Sequence, residues 1–162
     1  MALSFEERKK TLIEYLDQMG KDLNSKAGAD IFDAEFIEFT EDYLLTIRFN
    51  LKPWQRNIFG NLWGGLICHY IDYTTGPASW AAGGCQPIGT VDIDVNFIRG
   101  VGENIDHLFV KAKVISIGRR VVVAQAEVLD PEGWLIATAT TNTVRLLPPD
   151  DNPTLAENTT KL

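Results

Sequence analysis

The sequence predicts an α+β fold in which an antiparallel sheet wraps around one long, buried helix. Residues 64–80 form a strongly apolar segment of helical length, with apolar side chains around most of its surface. One strand-like segment precedes this helix, and four follow it in succession. A single buried helix followed by a run of strands is typical of an α+β architecture in which helix and sheet share one core.

An additional amphipathic helix is predicted near the N-terminus, over about residues 4–19. Ser4 and Glu7 fit a capping box, and Gly20 stands where a helix is expected to end. Residues 34–50 then show the alternation of a single strand. The part of the chain before the central helix therefore contributes one helix and one strand to the predicted fold.

The segments after the central helix alternate between strands and turn signals. The strands are predicted at residues 90–98, 108–117, 121–130 and 134–147. Gly-Arg-Arg at 118–120 and Asp-Pro-Glu-Gly at 130–133 supply turns between them. In the first of these strands Val91 belongs to the apolar face, so the alternation predicts that Thr90 faces the other way.

Length and composition exclude several classes of function. The chain, residues 1–162, is predicted to be one domain with its core at about 34–147 and a loose tail at 148–162. A net charge of −7 opposes nonspecific binding to nucleic acid. No apolar run is long enough to span a bilayer and no signal peptide is evident, so a cytoplasmic protein that binds no membrane is expected. Two cysteines without a CxxC spacing and two histidines predict no disulfide framework and no metal site, and no other cofactor is expected.

The candidate chemistry centres on a carboxylate inside the most apolar segment of the chain. Asp72 lies halfway along the central helix, where an ionised group is costly unless it is paired or functional. One interpretation is structural, with Asp72 hydrogen-bonded to Thr75 one turn later. The other is catalytic, because Gly64 and Gly65 open the same helix with free N–H groups that can stabilise an oxyanion. Asn57, just before the helix, can add an amide donor.

The spacing of these groups predicts a site shared between two subunits. Gly64 and Asp72 are eight residues apart, or roughly 12 Å along a helix. They therefore cannot reach one carbonyl group from a single helix. If both act on one substrate, two copies of the helix run antiparallel, which predicts a two-fold dimer with sites at its interface.

The segment NIFGNLWGGLICHYIDYTTG, residues 57–76, resembles a known family signature. It is similar to the N-x2-G-x2-H-G-G…D-x3-G signature of hot-dog-fold acyl-CoA thioesterases of the phenylacetate-pathway (PaaI-like) type. The similarity continues through TVDIDVNFIRG, VISIGRR and DPEGWLIATATT and covers about residues 45–146. The resemblance implies a five- or six-stranded sheet around the helix and subunits that pair by joining their sheets. A dimer of dimers, and thus a homotetramer, is the expected assembly.

The resemblance also implies a role for each candidate catalytic residue. Asn57 and Gly64 would polarise the thioester carbonyl group. Asp72, supplied by the facing subunit, would act as general base or nucleophile. Thr90, at the start of the next strand, would help to orient water. This division of the site between subunits agrees with the spacing of Gly64 and Asp72.

Four further residues are predicted to contact substrate. Trp63 and Gly65 flank Gly64, and Trp63 replaces the family's histidine with a larger side chain that donates one hydrogen bond but carries no proton. Arg119 and Arg120 lie in a predicted turn, either as solvated side chains or as contacts for coenzyme A phosphates. His69 lies on the central helix as a packing residue, with a catalytic pairing to the nearby carboxylate as the alternative.

These observations favour an acyl-CoA thioesterase, which hydrolyses a thioester to a free acid and coenzyme A. One alternative is a hot-dog hydratase or dehydratase that acts on enoyl-CoA. The sequence pattern of those enzymes is different and includes an Asp-His pair, which this sequence shows poorly. A second alternative is a non-catalytic acyl-CoA-binding protein that lost turnover together with the histidine. The sequence does not identify the acyl group or the pathway.

Overall fold

The fold, in a computed structural model that describes residues 3–27 and 31–146, consists of two α-helices and a six-stranded antiparallel sheet. In chain order the elements are α1 Phe5–Ala27, β1 Ala34–Phe39, β2 Leu44–Asn50, a short 3-10 turn Pro53–Gln55, α2 Gly64–Ala82, β3 Ile88–Phe97, β4 His107–Ile117, β5 Val121–Leu129 and β6 Leu135–Arg145. The strand order is β1-β2-β4-β5-β6-β3. The predicted α+β fold with a central helix and an additional N-terminal helix is confirmed.

The central helix α2 packs against the sheet and contacts strands β2 to β6. Tyr70 and Ile71 of this helix are fully buried. The ring of Phe49 in β2 stacks on Tyr70 with 4.3 Å between ring centroids. Because the sheet and α1 both cover α2, the helix needs apolar residues around most of its circumference, as its sequence shows.

The N-terminal helix is longer than its sequence pattern predicts. The capping box at its start is present, because Ser4 N–H donates to Glu7 Oε2 at 2.8 Å and Glu7 N–H donates to Ser4 Oγ at 3.3 Å. The predicted end at Gly20 is wrong, since the helix continues to Ala27. Gly20 is not among the glycines with positive φ and so does not form a left-handed cap. A glycine inside a helix costs only about 1 kcal/mol relative to alanine, which the packing of α1 on α2 outweighs.

Residues 34–50, predicted as one strand, form the β1–β2 hairpin. Tyr43 N–H donates to Thr40 O at 2.9 Å, and Thr40 N–H donates to Leu44 O at 3.0 Å. Tyr43 has a φ of 61°, a left-handed conformation that reverses the chain. Polar and apolar residues alternate on both sides of the turn, so periodicity alone does not reveal the break. The sheet therefore has six strands rather than five.

Strand β3 forms one edge of the sheet. Among the described strands it pairs only with β6. Val91 and Phe97 of β3 are 61% and 55% exposed. Exposed apolar side chains on an edge strand are typical of a surface that another chain covers.

The remaining sequence predictions about the fold have mixed outcomes. The strands span residues 34–145, close to the predicted core, while the tail at 148–162 lies outside the described residues. The extent of the single domain stays a prediction. His107, one residue before the strand predicted at 108–117, is the first residue of β4, and its Nδ1 lies 2.6 Å from Asp106 Oδ1. Neither helix in the described ranges is long and apolar enough to cross a membrane.

Candidate active site

The N-terminus of α2 leaves its first backbone donors open. Trp63, the residue before the helix, has extended geometry and provides no side-chain cap. Its carbonyl oxygen accepts from Leu66 N–H at 3.0 Å. In the part of the chain that the structure describes, the N–H groups of Gly64 and Gly65 donate to no acceptor. These two donors lie at the positive end of the helix dipole, so this end of α2 can bind a negatively charged oxygen.

The loop that precedes α2 fixes the orientation of Asn57. Its side-chain oxygen accepts from Phe59 N–H at 2.9 Å and from Asn61 N–H at 3.2 Å. The loop is closed further by Asn57 N–H, which donates to Asn61 O at 2.8 Å. Because the oxygen is used by the loop, the Nδ2 group is the end of the amide that remains available. Within the described ranges it donates to no protein acceptor.

Phe97 at the end of β3 lies against the start of α2. A Cβ added at Gly64 would lie 3.3 Å from Phe97 Cζ, whereas a Cβ at Gly65 would meet nothing within 4 Å. A side chain at position 64 would therefore displace the ring of Phe97. Glycine at this position allows Phe97 to approach the free N–H groups closely.

Asp72 is paired with Thr90 and not with Thr75. Thr90 Oγ1 donates to Asp72 Oδ1 at 2.8 Å. Thr75 is fully buried, and its hydroxyl has no hydrogen-bond partner among the described residues. The carboxylate itself is only half-buried. Asp72 is therefore positioned by a hydroxyl and remains accessible to a ligand.

A β-bulge turns Thr90 towards the helix. In the β3–β6 pairing Thr90 lies opposite Thr143, and Asp92 lies opposite Asn142, so Val91 is an extra residue. An extra residue reverses the alternation of faces along a strand. The predicted orientation of Thr90 away from the apolar face is therefore wrong, and the bulge brings its hydroxyl to Asp72.

Asp72 and Thr90 lie in a cleft of about 530 Å³ between α1, α2 and the start of β3. Its lining residues are Tyr15, Met19, His69, Asp72, Tyr73, Gly76, Pro77, Trp80, Pro87, Ile88 and Thr90. Most of these side chains are apolar or aromatic. The cleft thus combines one carboxylate and one hydroxyl with a largely apolar wall, a common composition for a small-molecule site.

His69 also lines this cleft, and its surroundings favour the neutral imidazole. Its ring stacks on Phe32 with 4.1 Å between ring centroids. Burial lowers the pKa of His69 below its usual value, and the charge of Asp72 partly opposes this effect. No hydrogen bond joins His69 Nε2 to any group in the described ranges, so His69 and Asp72 do not form a hydrogen-bonded pair through that atom.

The two halves of the predicted site lie apart within one chain. Gly64 lies beside Phe97, and Asp72 lies beside Thr90. Thr90 and Phe97 are seven residues apart on β3, or roughly 20 Å along an extended strand. One chain therefore presents the free N–H group of Gly64 and the carboxylate of Asp72 at separate places.

Arg119 and Arg120 lie at neither of these places. They occupy the turn between β4 and β5, and both side chains are exposed. Arg145 N–H donates to Arg120 O at 2.8 Å, which places the turn near the C-terminal end of α2, where Arg145 lies beside Gly83. Trp63 and Gly65, the other predicted contacts, lie next to Gly64. No cluster of side chains suited to a metal ion is present in residues 3–27 and 31–146.

Sequence reasoning missed the contribution of α1 to this region. Tyr15 and Met19 form one wall of the cleft, and the ring of Tyr15 packs on Trp80 with 4.9 Å between centroids. The amphipathic pattern of α1 indicates that the helix packs on the domain. It does not indicate that the contact lies beside Asp72, because that depends on the path of the chain between α1 and β1.

An antiparallel sheet wrapped around one central helix is the hot-dog fold. In this chain the central helix carries Gly64 and Asp72. A conserved protein from Pseudomonas aeruginosa is 25% identical, with a TM-score of 0.63 over 70% of this chain and 88% of its own. A mutant of the phenylacetic acid degradation protein PaaI from Thermus thermophilus is 19% identical, with a TM-score of 0.64 over 71% and 95%. A hypothetical thioesterase from Streptococcus pneumoniae, solved with coenzyme A, is 19% identical, with a TM-score of 0.63 over 69% and 84%. These similarities show the fold.

The sequence profile of the thioesterase superfamily matches residues 59–137. This range includes Gly64, Asp72 and Thr90. Over these residues the chain is similar to the thioesterase superfamily, and it has the hot-dog fold that PaaI also has, as its motif predicts. No curated protein matches the sequence.

Proposed function

We propose that this protein is an acyl-CoA thioesterase that hydrolyses a thioester to a free acid and coenzyme A. The observation that carries the proposal is the hydrogen bond from Thr90 Oγ1 to Asp72 Oδ1, 2.8 Å long, at a largely apolar cleft. It holds a carboxylate ready to act on water or on a carbonyl carbon. The free N–H of Gly64 and the Nδ2 group of Asn57 supply the donors that a developing oxyanion requires.

The proposed site is completed by a second subunit that pairs along β3. If two copies of β3 run antiparallel about a two-fold axis through Asp94, the bulge at Thr90 and Val91 of one copy lies beside Phe97 of the other. Because Thr90 holds Asp72 and Phe97 lies against Gly64, each carboxylate then faces the oxyanion-binding end of the other helix. Each dimer has two such sites.

Two exposed apolar surfaces support this pairing. The first is the unpaired edge of β3. The second is the loop before α2, where Ile58 and Phe59 are 91% and 80% exposed and Trp63 is 53% exposed. Both surfaces flank the proposed site, and burying them against a second copy removes apolar area from water. Association of two such dimers into a tetramer stays a prediction.

The reaction follows from the groups in this site. Asp72 takes a proton from a water molecule, and the resulting hydroxide attacks the thioester carbonyl carbon. The oxyanion accepts hydrogen bonds from Gly64 N–H and Asn57 Nδ2–H. The C–S bond then breaks, and the coenzyme A thiolate leaves with the proton returned from Asp72. In the alternative route Asp72 attacks the carbonyl carbon directly, the thiolate leaves, and water hydrolyses the resulting anhydride.

Coenzyme A is the proposed leaving group because the chain offers cations for its phosphates. Arg119 and Arg120 are exposed, and arginine forms paired hydrogen bonds with phosphate oxygens. The structural neighbour from Streptococcus pneumoniae was solved with coenzyme A. These observations support a coenzyme A thioester as substrate.

Trp63 favours a second candidate, a hot-dog protein that binds acyl-CoA without hydrolysing it. Its indole cannot transfer a proton. In the mechanism above, however, proton transfer belongs to Asp72, and the oxyanion donors are the Gly64 backbone and Asn57. Replacement of the family's histidine by Trp63 therefore leaves the proposed chemistry complete.

The experiment that tests the proposal measures release of free thiol from a panel of acyl-CoAs. Wild-type protein is expected to release thiol, and Asp72→Asn to reduce kcat roughly 10²-fold or more with an unchanged fold and dimer. Glu127→Gln, an exposed carboxylate on β5, is the matched control and should retain activity. Saturable binding without thiol release would favour the non-catalytic protein, and addition of water to an enoyl-CoA would favour a hydratase. Near wild-type turnover by folded Asp72→Asn would contradict the assigned role.

A further inference from the structure

The wall that α1 supplies to the cleft bears on the choice of substrate. Tyr15 and Met19 stand on α1 opposite Asp72 and Thr90, which lie on α2 and β3. The aromatic contact of Tyr15 with Trp80 of α2, 4.9 Å between ring centroids, holds the two helices together here. Tyr15 and Met19 therefore form the wall of the cleft on the side of α1.

We infer that this cleft binds the acyl group of the substrate, and that Tyr15 and Met19 set the largest acyl group that it accepts. The inference rests on the proposed thioesterase function, because it requires the thioester carbonyl group to lie at Asp72. The acyl group then extends from Asp72 along the apolar surface of α2 and towards α1. The substrate class is uncharged, apolar acyl groups that are larger than acetyl and limited in length.

The charges of the cleft support this class. Among the described residues that line it, Asp72 is the only carboxylic acid and no lysine or arginine is present. Burial keeps the pKa of His69 below its usual value, so this histidine supplies no positive charge at neutral pH. A terminal carboxylate on the acyl group would lose its water without gaining a cation as partner, and Asp72 would repel it. Acyl groups derived from dicarboxylic acids are therefore excluded.

The apolar residues support a limit on length. Pro77, Trp80 and Ile88 also line the cleft. Each methylene group that enters this surface leaves water, which favours longer chains. This gain ends where the chain meets Tyr15 and Met19.

The first test compares substrates with the wild-type protein. Straight-chain acyl-CoAs from acetyl to decanoyl should show kcat/KM rising about fourfold per methylene and then falling beyond an optimum. Hexanoyl-CoA and adipoyl-CoA have the same number of acyl carbons and differ in one terminal carboxylate. Hexanoyl-CoA should be preferred at least about tenfold, because the buried charge is unpaired. A flat chain-length series, or equal rates for hexanoyl and adipoyl, would overturn the inference.

The second test changes the size of the α1 side chains that line the cleft. Tyr15→Ala and Met19→Ala should shift the optimum to longer chains, and Met19→Trp should shift it to shorter ones. Tyr15→Phe is the matched control, since it keeps the ring that packs on Trp80 and should leave the optimum unchanged. Circular dichroism confirms that each variant is folded. Folded Tyr15→Ala and Met19→Trp variants with the wild-type optimum would show that α1 does not limit the acyl group.

A third measurement separates this inference from the proposed function. S-hexyl coenzyme A, a thioether that cannot be hydrolysed, should bind more tightly than coenzyme A, and Met19→Trp should reduce that difference. If the wild type hydrolyses no acyl-CoA but shows this binding pattern, the thioesterase proposal fails while the acyl cleft stands. If thiol is released but S-hexyl coenzyme A binds no better than coenzyme A, the cleft assignment fails and the thioesterase proposal stands.

Discussion

The two ends of helix α2 differ in whether their backbone groups are satisfied by other groups of the protein. At the C-terminal end Arg8 of α1 donates to the carbonyl oxygen of Ala82 at 2.9 Å, which places a positive charge at the negative end of the helix dipole. Gly83 N–H closes the last turn on Ser79 O at 2.8 Å. Residues 81–83 are buried. This end of α2 is thus closed by the protein's own groups.

The N-terminal end is open. It has no side-chain cap, and the N–H groups of Gly64 and Gly65 have no acceptor in the described part of the chain. The residues around it include the exposed Ile58, Phe59 and Trp63. Unsatisfied donors and exposed apolar side chains weaken a fold when they serve no ligand or partner. The closed end therefore stabilises the domain, whereas the open end is the one proposed to bind substrate and a second subunit.

The largest expected effect comes from removing the side-chain donor at the open end. Asn57→Asp keeps an oxygen that can accept from Phe59 N–H and Asn61 N–H, but it lacks the NH₂ group. We expect kcat to fall roughly 10²- to 10³-fold, the usual effect of losing one oxyanion-hole donor. The melting temperature should change little, because the loop hydrogen bonds remain.

Asn57→Ala is the matched comparison for this prediction. It removes the donor together with the acceptor that closes the loop, so it should lose both activity and stability. Wild-type kcat in a folded Asn57→Asp protein would exclude Asn57 from the oxyanion site and leave the open end with backbone donors only.

At the closed end the expected effect is on stability. Arg8→Met keeps much of the aliphatic stem and removes the donors to Ala82 O and to Leu3 O. We expect a loss of about 1–2 kcal/mol in the free energy of unfolding, measured with urea, since hydrogen bonds from charged groups contribute about this much. The kcat should be unchanged. A large fall in kcat at unchanged stability would erase the distinction between the two ends of the helix.

Arg119 and Arg120 are an exception to the contrast between a stabilising end and a substrate-binding end of α2. They lie near the closed end and are nevertheless proposed to bind substrate. Changing both to alanine should raise KM several-fold, up to about tenfold, with little change in kcat, as expected for binding that is equal in ground and transition states. The effect should shrink at high salt. An unchanged KM at low salt would return both arginines to a solvated turn.

The smallest expected effect concerns His69, between the two ends. Burial lowers its pKa below the usual value, so the unfolded chain takes up a proton before the folded chain does as pH falls. The neutral histidine's contribution to stability is therefore complete above its unfolded pKa and is lost as pH falls towards the folded pKa. The melting temperature should fall more between pH 7.5 and 5.5 for wild type than for His69→Gln. Parallel curves for the two proteins would show that His69 is not held neutral by burial.

The sequence predicts the buried secondary-structure elements of this molecule better than the contacts between these elements. The apolar segment of α2 identifies the central helix because burial on most sides demands apolar residues. Periodicity does not predict the β1–β2 turn, since alternation continues on both sides of Tyr43. Alternation predicts the wrong orientation for Thr90, because the bulge at Val91 depends on pairing with β6. The roles of Asn57, Gly64, Asp72 and Thr90 come from the family resemblance and stay proposals.

We propose that the open end of α2 in one subunit acts together with Asp72 of a second subunit. Asp72→Asn removes the carboxylate, and Gly64→Val places a side chain against Phe97, where a Cβ already lies within 3.3 Å of the ring. Each variant alone should be almost inactive. After subunit exchange, verified by mass spectrometry, about half of the dimers are mixed and each holds one intact site. Roughly a quarter of wild-type activity should return, because half of the dimers hold one of two sites each. Verified exchange with no recovered activity would show that both groups act within one chain and would contradict the shared site.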